Sequence, residues 1–74
     1  MAQSECEEVF FNRPLILQPD TGHSRREKRY LALGRTYGAR LLYVVFTIRG
    51  SEIRPIHARD MDPVERGKYA RAQR

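Results

Sequence analysis

The sequence predicts an α+β domain: a three- to four-stranded antiparallel meander sheet flanked by a short N-terminal helix and a C-terminal helix. Two turn signals, Thr36-Tyr37-Gly38-Ala39 and Gly50-Ser51, divide the middle of the chain into β-prone stretches that can pair as hairpins. A helix-start signature stands on each side of these stretches, at Ser4 and at Asp62. Because 74 residues have room for one core, we expect residues 1–74 to form a single domain.

The N-terminal segment predicts a helix over residues 4–12. Ser4 and Glu7 have the spacing of a capping box, an apolar stripe follows, and Pro14 stops the helix. Residues 15–17 favour a brief strand that ends in the turn-forming residues 19–22.

Three strands are predicted in the meander, over residues 28–36, 39–49 and 52–59. A two-residue turn at Gly50-Ser51 pairs Ile48 with Ile53, Phe46 with Pro55, Val44 with His57, and Leu42 with Arg59. A turn around Tyr37-Gly38 pairs Leu33 with Leu42 and Leu31 with Val44.

This register separates an apolar face from a mixed face. The apolar face consists of Leu31, Leu33, Leu42, Val44, Phe46, Ile48 and Ile53, with His57 and Arg59 at its end. The mixed face consists of Tyr30, Ala32, Tyr43, Val45, Thr47, Arg54, Ile56 and Ala58. Pro55 cannot donate a ladder hydrogen bond, so we expect the last strand to be an edge strand or to be bulged there.

The last element is a predicted helix over residues 63–71. Asp62 caps it, Pro63 takes the first helical position, and Glu65 can reach back to the cap.

Charge and cysteine content narrow the function classes. The net charge is +5, and twelve Arg against two Lys favour a polyanionic partner, because the guanidinium fork matches phosphate. A codon bias towards Arg would give the same composition. Cys6 alone can form no internal disulfide and completes no zinc pattern, which indicates a reducing compartment, the cytoplasm. The sequence shows no secretory signal and no apolar run long enough to span a bilayer.

The sequence lacks the usual signatures of cofactor and nucleophile chemistry. His23 and His57 are far apart without an acidic cluster, neither Ser51 nor Cys6 has an evident His partner, and no Gly-rich phosphate loop occurs. We therefore expect no metal, no cofactor and no small-molecule substrate. Any chemistry must come from Arg, His, Tyr and carboxylate side chains.

RNA cleavage is one reaction that such side chains can catalyse. It needs a base for the 2′-hydroxyl proton, an acid for the leaving oxygen, and cations for the crowded phosphate. His57 suits acid or base work, and Arg29, Arg54 and Arg59 suit the phosphate. Tyr30 or Tyr43 could stack a base.

The same residues also suit ordinary structural roles. His57 fits a histidine at a strand end, and Arg54 and Arg59 fit ion pairs with Glu52, Asp60 or the carboxylates of the flanking helices. A small β module that binds nucleic acid through an Arg-rich face would need nothing more.

A resemblance favours the enzyme. EVFFNRP, RYLALGRT, RLLYVVFT, IRPIHARDM and ERGKY, in this order from about Glu8 to Tyr69, resemble the BrnT family of toxins. These are the ribonuclease halves of bacterial type II toxin–antitoxin pairs. The resemblance implies a RelE-like fold, metal-independent RNA cleavage, and neutralisation by a BrnA-like antitoxin that carries any DNA contact.

Positions that match the family pattern give the expected site. The resemblance implies a catalytic group of Arg29, Arg54, Arg59, Glu65 and Tyr69. We expect RNA contacts from His23, Arg25, Arg26, Tyr30, Thr47, His57 and Arg66. The family often has Ser in place of His57, so His57 is not expected to be an inherited catalytic residue.

Family members usually begin with a strand and a helix ahead of the segment SECEEVFFN, so the resemblance implies an N-terminally shortened domain with an exposed sheet edge. The alternative to an active toxin is therefore a truncated, inactive homologue that only binds antitoxin or nucleic acid.

Overall fold

A computed structural model describes residues 3–19 and 28–73 of the chain. Its elements in order are α1 (Gln3–Glu8), a 3-10 turn (Val9–Phe11), β1 (Ile16–Pro19), β2 (Tyr30–Arg35), β3 (Leu41–Arg49), β4 (Glu52–Asp60) and α2 (Pro63–Ala72). The strands form one antiparallel sheet in the order β1-β2-β3-β4. This confirms the predicted α+β class. The segment predicted as one helix over 4–12 is α-helical to Glu8 and then tightens into the 3-10 turn. The predicted turn at 19–22 lies, beyond Pro19, outside the described residues.

The β3–β4 hairpin has the predicted register near its turn. Gly50 has a φ of +61°, which the first central position of a type II′ turn requires. Ile48 lies opposite Ile53 and Phe46 opposite Pro55, as predicted.

Beyond Pro55 the register shifts by one residue. Val45, next to Phe46, lies opposite His57, so β4 carries one extra residue at this point. The predicted pairs of Val44 with His57 and Leu42 with Arg59 are therefore wrong. Arg59 instead lies opposite Tyr43. The expectation that the last strand is an edge strand or bulged is confirmed, since β4 is both.

The β2–β3 connection is one residue longer than the predicted turn. The Thr36 amide donates to the Arg40 carbonyl at 2.9 Å, and the Ala39 amide donates to the Thr36 carbonyl at 3.0 Å. The loop is thus three residues, 37–39, and its last residue, Ala39, has a left-handed φ of 66°.

This loop moves the β2 side chains to the opposite face from the one predicted. Leu33 lies opposite Tyr43 and Leu31 opposite Val45, so the predicted pairs of Leu33 with Leu42 and Leu31 with Val44 are wrong. The single apolar face does not form. Ile48 and Ile53 at its end are about half exposed.

Each face of the sheet instead has its own core. On one face, hereafter the α1 face, Cys6 and Val9 pack on the strand residues Ala32, Leu42, Val44 and Phe46. On the other, hereafter the α2 face, Tyr69 and Met61 pack with Leu33, together with Ile16, Leu41 and Tyr43. The two helices therefore cover opposite faces.

Glycine at position 34 lets the 3-10 turn approach β2. A Cβ built on Gly34 would lie 2.8 Å from the Val9 Cβ and 3.2 Å from its carbonyl oxygen.

Within the described residues, no helix is long and apolar enough to cross a membrane.

Candidate functional site

The bulge in β4 brings three nitrogen-rich side chains onto the α2 face. Arg54 lies opposite Thr47 on one side of the bulge, and His57 and Arg59 lie opposite Val45 and Tyr43 on the other. Residues two apart on a strand are about 7 Å apart along it, so the three form one stripe along the edge strand. The expectation that His57 and Arg59 lie on a different face from Arg54 is wrong, because it omitted the extra residue.

Arg59 is held in one orientation by several contacts. Its Nη1 and Nη2 donate to Glu65 Oε1 and Oε2 at 2.7 and 2.9 Å, a two-pronged pair. Its guanidinium carbon lies 3.8 Å from the centroid of the Tyr43 ring. Nη1 also donates to the Asp60 carbonyl at 3.1 Å. The hydrogen bond to Glu65 raises the pKa of Arg59, although burial opposes it.

Glu65 is held by the start of α2. Asp62 and Glu65 form a reciprocal capping box: the Glu65 amide donates to Asp62 Oδ1 at 2.8 Å and the Asp62 amide donates to Glu65 Oε1 at 3.0 Å. The hydrogen bond from Arg59 lowers the pKa of Glu65 below its ordinary value of 4.5, against the effect of burial. At neutral pH Glu65 is therefore ionised, and it acts as an acceptor that fixes Arg59.

Arg54 and His57 are the accessible members of the stripe. The Arg54 side chain is 57% exposed, and a carboxylate oxygen of Glu52 lies 3.9 Å from its Nε. An exposed pair at that distance is weak, so the Arg54 fork can bind another anion. His57 is also exposed, whereas Thr47 behind Arg54 is buried.

Arg29 and Tyr30 stand at the start of β2 and point to different faces. Continuing the β2–β3 register by one residue sets Arg29 opposite Thr47, in the same row as Arg54. Tyr30 lies opposite Phe46 on the α1 face, and its ring stacks on Phe46 with centroids 5.5 Å apart. The expectation that Tyr30 shares a face with Arg54 is wrong, because the β2–β3 loop is a residue longer than predicted.

Tyr69 is fully buried beneath α2, and its hydroxyl donates to the Pro14 carbonyl at 2.6 Å. Burial raises the pKa of Tyr69. The contact ties α2 to the segment that leads into β1, so Tyr69 sets the position of the helix that carries Glu65.

The other predicted site residues lie apart from this stripe. Arg66 is exposed on α2, one residue beyond Glu65. His23, Arg25 and Arg26 lie in 20–27, outside the described residues. The described part of the chain holds no group of three or more His, Cys, Asp or Glu side chains arranged to bind a metal.

Sequence reasoning missed the place of Tyr43 beneath Arg59. Tyr43 was considered only as a surface on which a base could stack. The signal that leads to the observed contact is Pro55, because a bulge placed there moves Arg59 from Leu42 to Tyr43.

One comparison with known proteins gives a match. A family model described as the ribonuclease toxin, BrnT, of type II toxin–antitoxin systems matches residues 1–65. No curated protein and no solved structure matches the chain. The matched range contains the whole stripe together with Glu65, and it ends before Tyr69.

Proposed function

This chain belongs to the BrnT family of ribonuclease toxins from type II toxin–antitoxin systems, and we propose that it cleaves RNA along the α2 face without a metal ion. The family implies an RNA substrate and an antitoxin partner. The proposal adds where the reaction takes place and which side chains perform it.

The observation that carries the proposal is the placement of Arg54, His57 and Arg59 in one stripe, with Arg59 already oriented. Cleavage begins when the 2′-oxygen loses its proton and attacks the adjacent phosphorus. The bond to the 5′-oxygen then breaks, and that oxygen takes up a proton. The products are a 2′,3′-cyclic phosphate and a free 5′-hydroxyl.

Each member of the stripe has a role that its environment suits. Arg54, with its weak ion pair, binds the phosphate as negative charge accumulates on its oxygens. Exposed His57 is proposed to exchange a proton with either the 2′- or the 5′-oxygen; this role rests on its place in the stripe and not on the family pattern, which often has Ser at this position. Arg59 supplies a second positive charge, which its contacts hold in place. Arg29 supplies a third positive charge from its position opposite Thr47, on the other side of Thr47 from Arg54.

Glu65 and Tyr69 are positioning residues in this scheme. Glu65 is engaged with Arg59 and the helix cap, and the Tyr69 hydroxyl with a main-chain oxygen. Further RNA contacts are proposed for Thr47 and Arg66, for Tyr30 at the far face, and for His23, Arg25 and Arg26. The cationic groups stabilise the phosphate themselves, which supports a mechanism without a metal ion.

The proposed partner is a BrnA-like antitoxin, and contact with DNA occurs only through that partner. The proposed location is the bacterial cytoplasm, where RNA and antitoxin are both present.

A second candidate is a family member that binds antitoxin or nucleic acid without cleaving RNA. It is favoured by the internal engagement of Arg59, Glu65 and Tyr69, which leaves fewer groups for substrate than the family pattern suggests.

Induced expression in bacteria, followed by analysis of total RNA, separates the two candidates. The enzyme arrests growth and degrades RNA, and Arg54→Ala abolishes both effects. Arg71→Ala, which removes the same charge from the exposed last turn of α2, leaves both effects in place. Normal growth with intact RNA, at verified expression of the folded chain, would refute the ribonuclease.

A further inference from the structure

The outer edge of β4 has unpaired main-chain groups. Among residues 3–19 and 28–73, no strand lies beyond β4. The Met61 amide donates to the Leu41 carbonyl at 3.1 Å, so these two residues form a hydrogen-bonded pair at the end of the β3–β4 ladder. Because pairing alternates along an antiparallel strand, His57 and Arg59 direct their main-chain groups towards β3, and Ala58 and Asp60 direct theirs outwards. Such an edge is a template for another strand on either side of Pro55, which has no amide hydrogen to donate.

Apolar and charged side chains share a groove beside this edge. The groove, of about 750 Å³, runs between β4 and α1; its apolar lining includes Cys6, Ile53, Ile56 and Ala58, and its polar lining consists of Glu7, Glu52, Arg54 and His57. Ile53 and Ile56 are 44% and 47% exposed. An added strand would cover both side chains and fill the groove.

The two sides of the edge favour different side chains in a partner. On the α2 face, an added strand would meet Arg54 and His57, which are exposed. On the α1 face it would meet Ile53, and at the bulge it would meet the exposed Ile56. Since successive residues of a strand alternate between faces, the complementary segment alternates acidic and apolar residues.

A second copy of this chain fits the edge less well. Two β4 strands paired antiparallel about Ile56 would set Glu52 of each copy opposite Asp60 of the other, and like charges directly opposite destabilise a pair. Each copy also carries a net charge of +5. RNA fits the edge less well, because the exposed isoleucine side chains offer no hydrogen bond or charge to a phosphate.

We propose that an extended antitoxin segment with alternating acidic and apolar residues binds along β4 as a fifth strand. The proposal rests on the proposed function, because it identifies how the partner controls the same stripe. The acidic side chains of the segment cover Arg54 and His57 and take the place of the RNA phosphate. Neutralisation is therefore direct obstruction of the α2 face.

The test measures binding of the product of the reading frame beside this gene to the purified full chain by titration calorimetry. Ile53→Glu is expected to weaken the Kd about ten- to hundredfold, since it removes an apolar contact and places a carboxylate against the apolar residues of the segment. The matched control is Leu17→Glu on β1, on the same face but at the opposite edge of the sheet, where Leu17 is 56% exposed. It is expected to leave the Kd within about threefold.

Two further measurements check the folding of the variants and the location of the docking site. Circular dichroism verifies that both variants fold. Hydrogen exchange on the wild-type complex is expected to protect the outward amides of Ala58 and Asp60, and this readout remains informative if Ile53→Glu does not fold.

Each outcome decides for or against the docking site. Unprotected β4 amides, equal loss of affinity in both variants, or no complex with the wild-type chain overturns it. Reduced RNA cleavage in Ile53→Glu at unchanged antitoxin affinity also overturns it and assigns the edge to RNA. Because binding is measured without cleavage, an inactive chain whose Ile53→Glu variant loses antitoxin affinity refutes the ribonuclease and supports the docking site.

Discussion

Glu65→Gln removes one negative charge while keeping the size of the side chain and one amide oxygen. In the wild type, Glu65 accepts two hydrogen bonds from Arg59, at 2.7 and 2.9 Å, and a third from the Asp62 amide. The amide oxygen of Gln can retain the helix-capping contact. The change therefore isolates the ionic part of the pair that holds Arg59.

The expected cost follows from burial and geometry. The Glu65 side chain is 17% exposed and that of Arg59 is 40% exposed, so the pair is stronger than a solvated one but only partly shielded from water. A two-pronged, charge-assisted pair of this kind contributes about 1.5 kcal/mol to the free energy of unfolding. For a chain of this length, that cost lowers the Tm by about 6 to 12 °C.

The lowered pKa of Glu65 determines how the Tm difference between wild type and Glu65→Gln changes with pH. The folded-state pKa of Glu65 is lowered below 4.5, so its contribution to stability is fully present above the unfolded-state value and is lost as pH falls through the folded-state value. Gln binds no proton in this range. The difference in Tm between wild type and Glu65→Gln is therefore constant from pH 7 to about pH 5 and shrinks towards zero at lower pH.

Thermal unfolding followed by circular dichroism between pH 7 and pH 3 measures this difference. The matched control is Glu52→Gln, since the Glu52 side chain is 74% exposed and lies 3.9 Å from Arg54; its effect stays within about 0.5 kcal/mol. A Tm difference for Glu65→Gln that persists unchanged at pH 3 would refute the ionic explanation. Equal effects of the two substitutions would refute the role of burial.

Two further substitutions test the packing that positions the site. Tyr69→Phe removes the 2.6 Å hydrogen bond to the Pro14 carbonyl and is expected to lower the free energy of unfolding by about 1–2 kcal/mol in urea titrations. The control Tyr37→Phe, at a residue 70% exposed, is expected to change the free energy of unfolding by less than about 0.5 kcal/mol. An equal effect of the two would contradict the anchoring of α2. Gly34→Ala brings a Cβ to within 2.8 Å of the 3-10 turn and costs about 1–3 kcal/mol, whereas Gly38→Ala meets nothing nearer than 3.8 Å and is neutral or slightly stabilising. A stable Gly34→Ala variant would show that the turn can move away.

The β3–β4 hairpin shows how far turn signals alone can predict register. Gly50-Ser51 correctly pairs Ile48 with Ile53, because a glycine followed by a polar residue specifies a two-residue turn. Pro55 indicated either an edge strand or a bulge at that position. It could not show that the strand is both, because an edge proline is also compatible with a regular strand whose free side faces solvent.

The β2–β3 hairpin shows why the core was harder to predict. The left-handed residue of its loop is Ala39, where glycine or asparagine is expected, so nothing in the sequence distinguished a three-residue loop from a two-residue one. An error of one residue moves every side chain of a strand to the other face. Leu31 and Leu33 therefore changed faces together.

The residues of the candidate site were easier to predict than their arrangement. Arg54 and Arg59 were identified as candidates from their chemistry and from the family resemblance, and Glu65 from the resemblance alone; the roles of all three remain proposals. Their juxtaposition needed the bulge, which Pro55 indicated only as an alternative to a regular edge strand. The contact between Arg59 and Glu65 also needed the capping box of α2, which was predicted from Asp62 and Glu65.

Cleavage of a short single-stranded RNA by the purified chain in the presence of EDTA tests the central claim most directly. The predicted result is a 2′,3′-cyclic phosphate product, with the rate reduced about 10²- to 10³-fold by Arg54→Ala and less than about threefold by Arg71→Ala. The account is contradicted if cleavage requires an added metal ion, or if the two arginine variants lose activity equally.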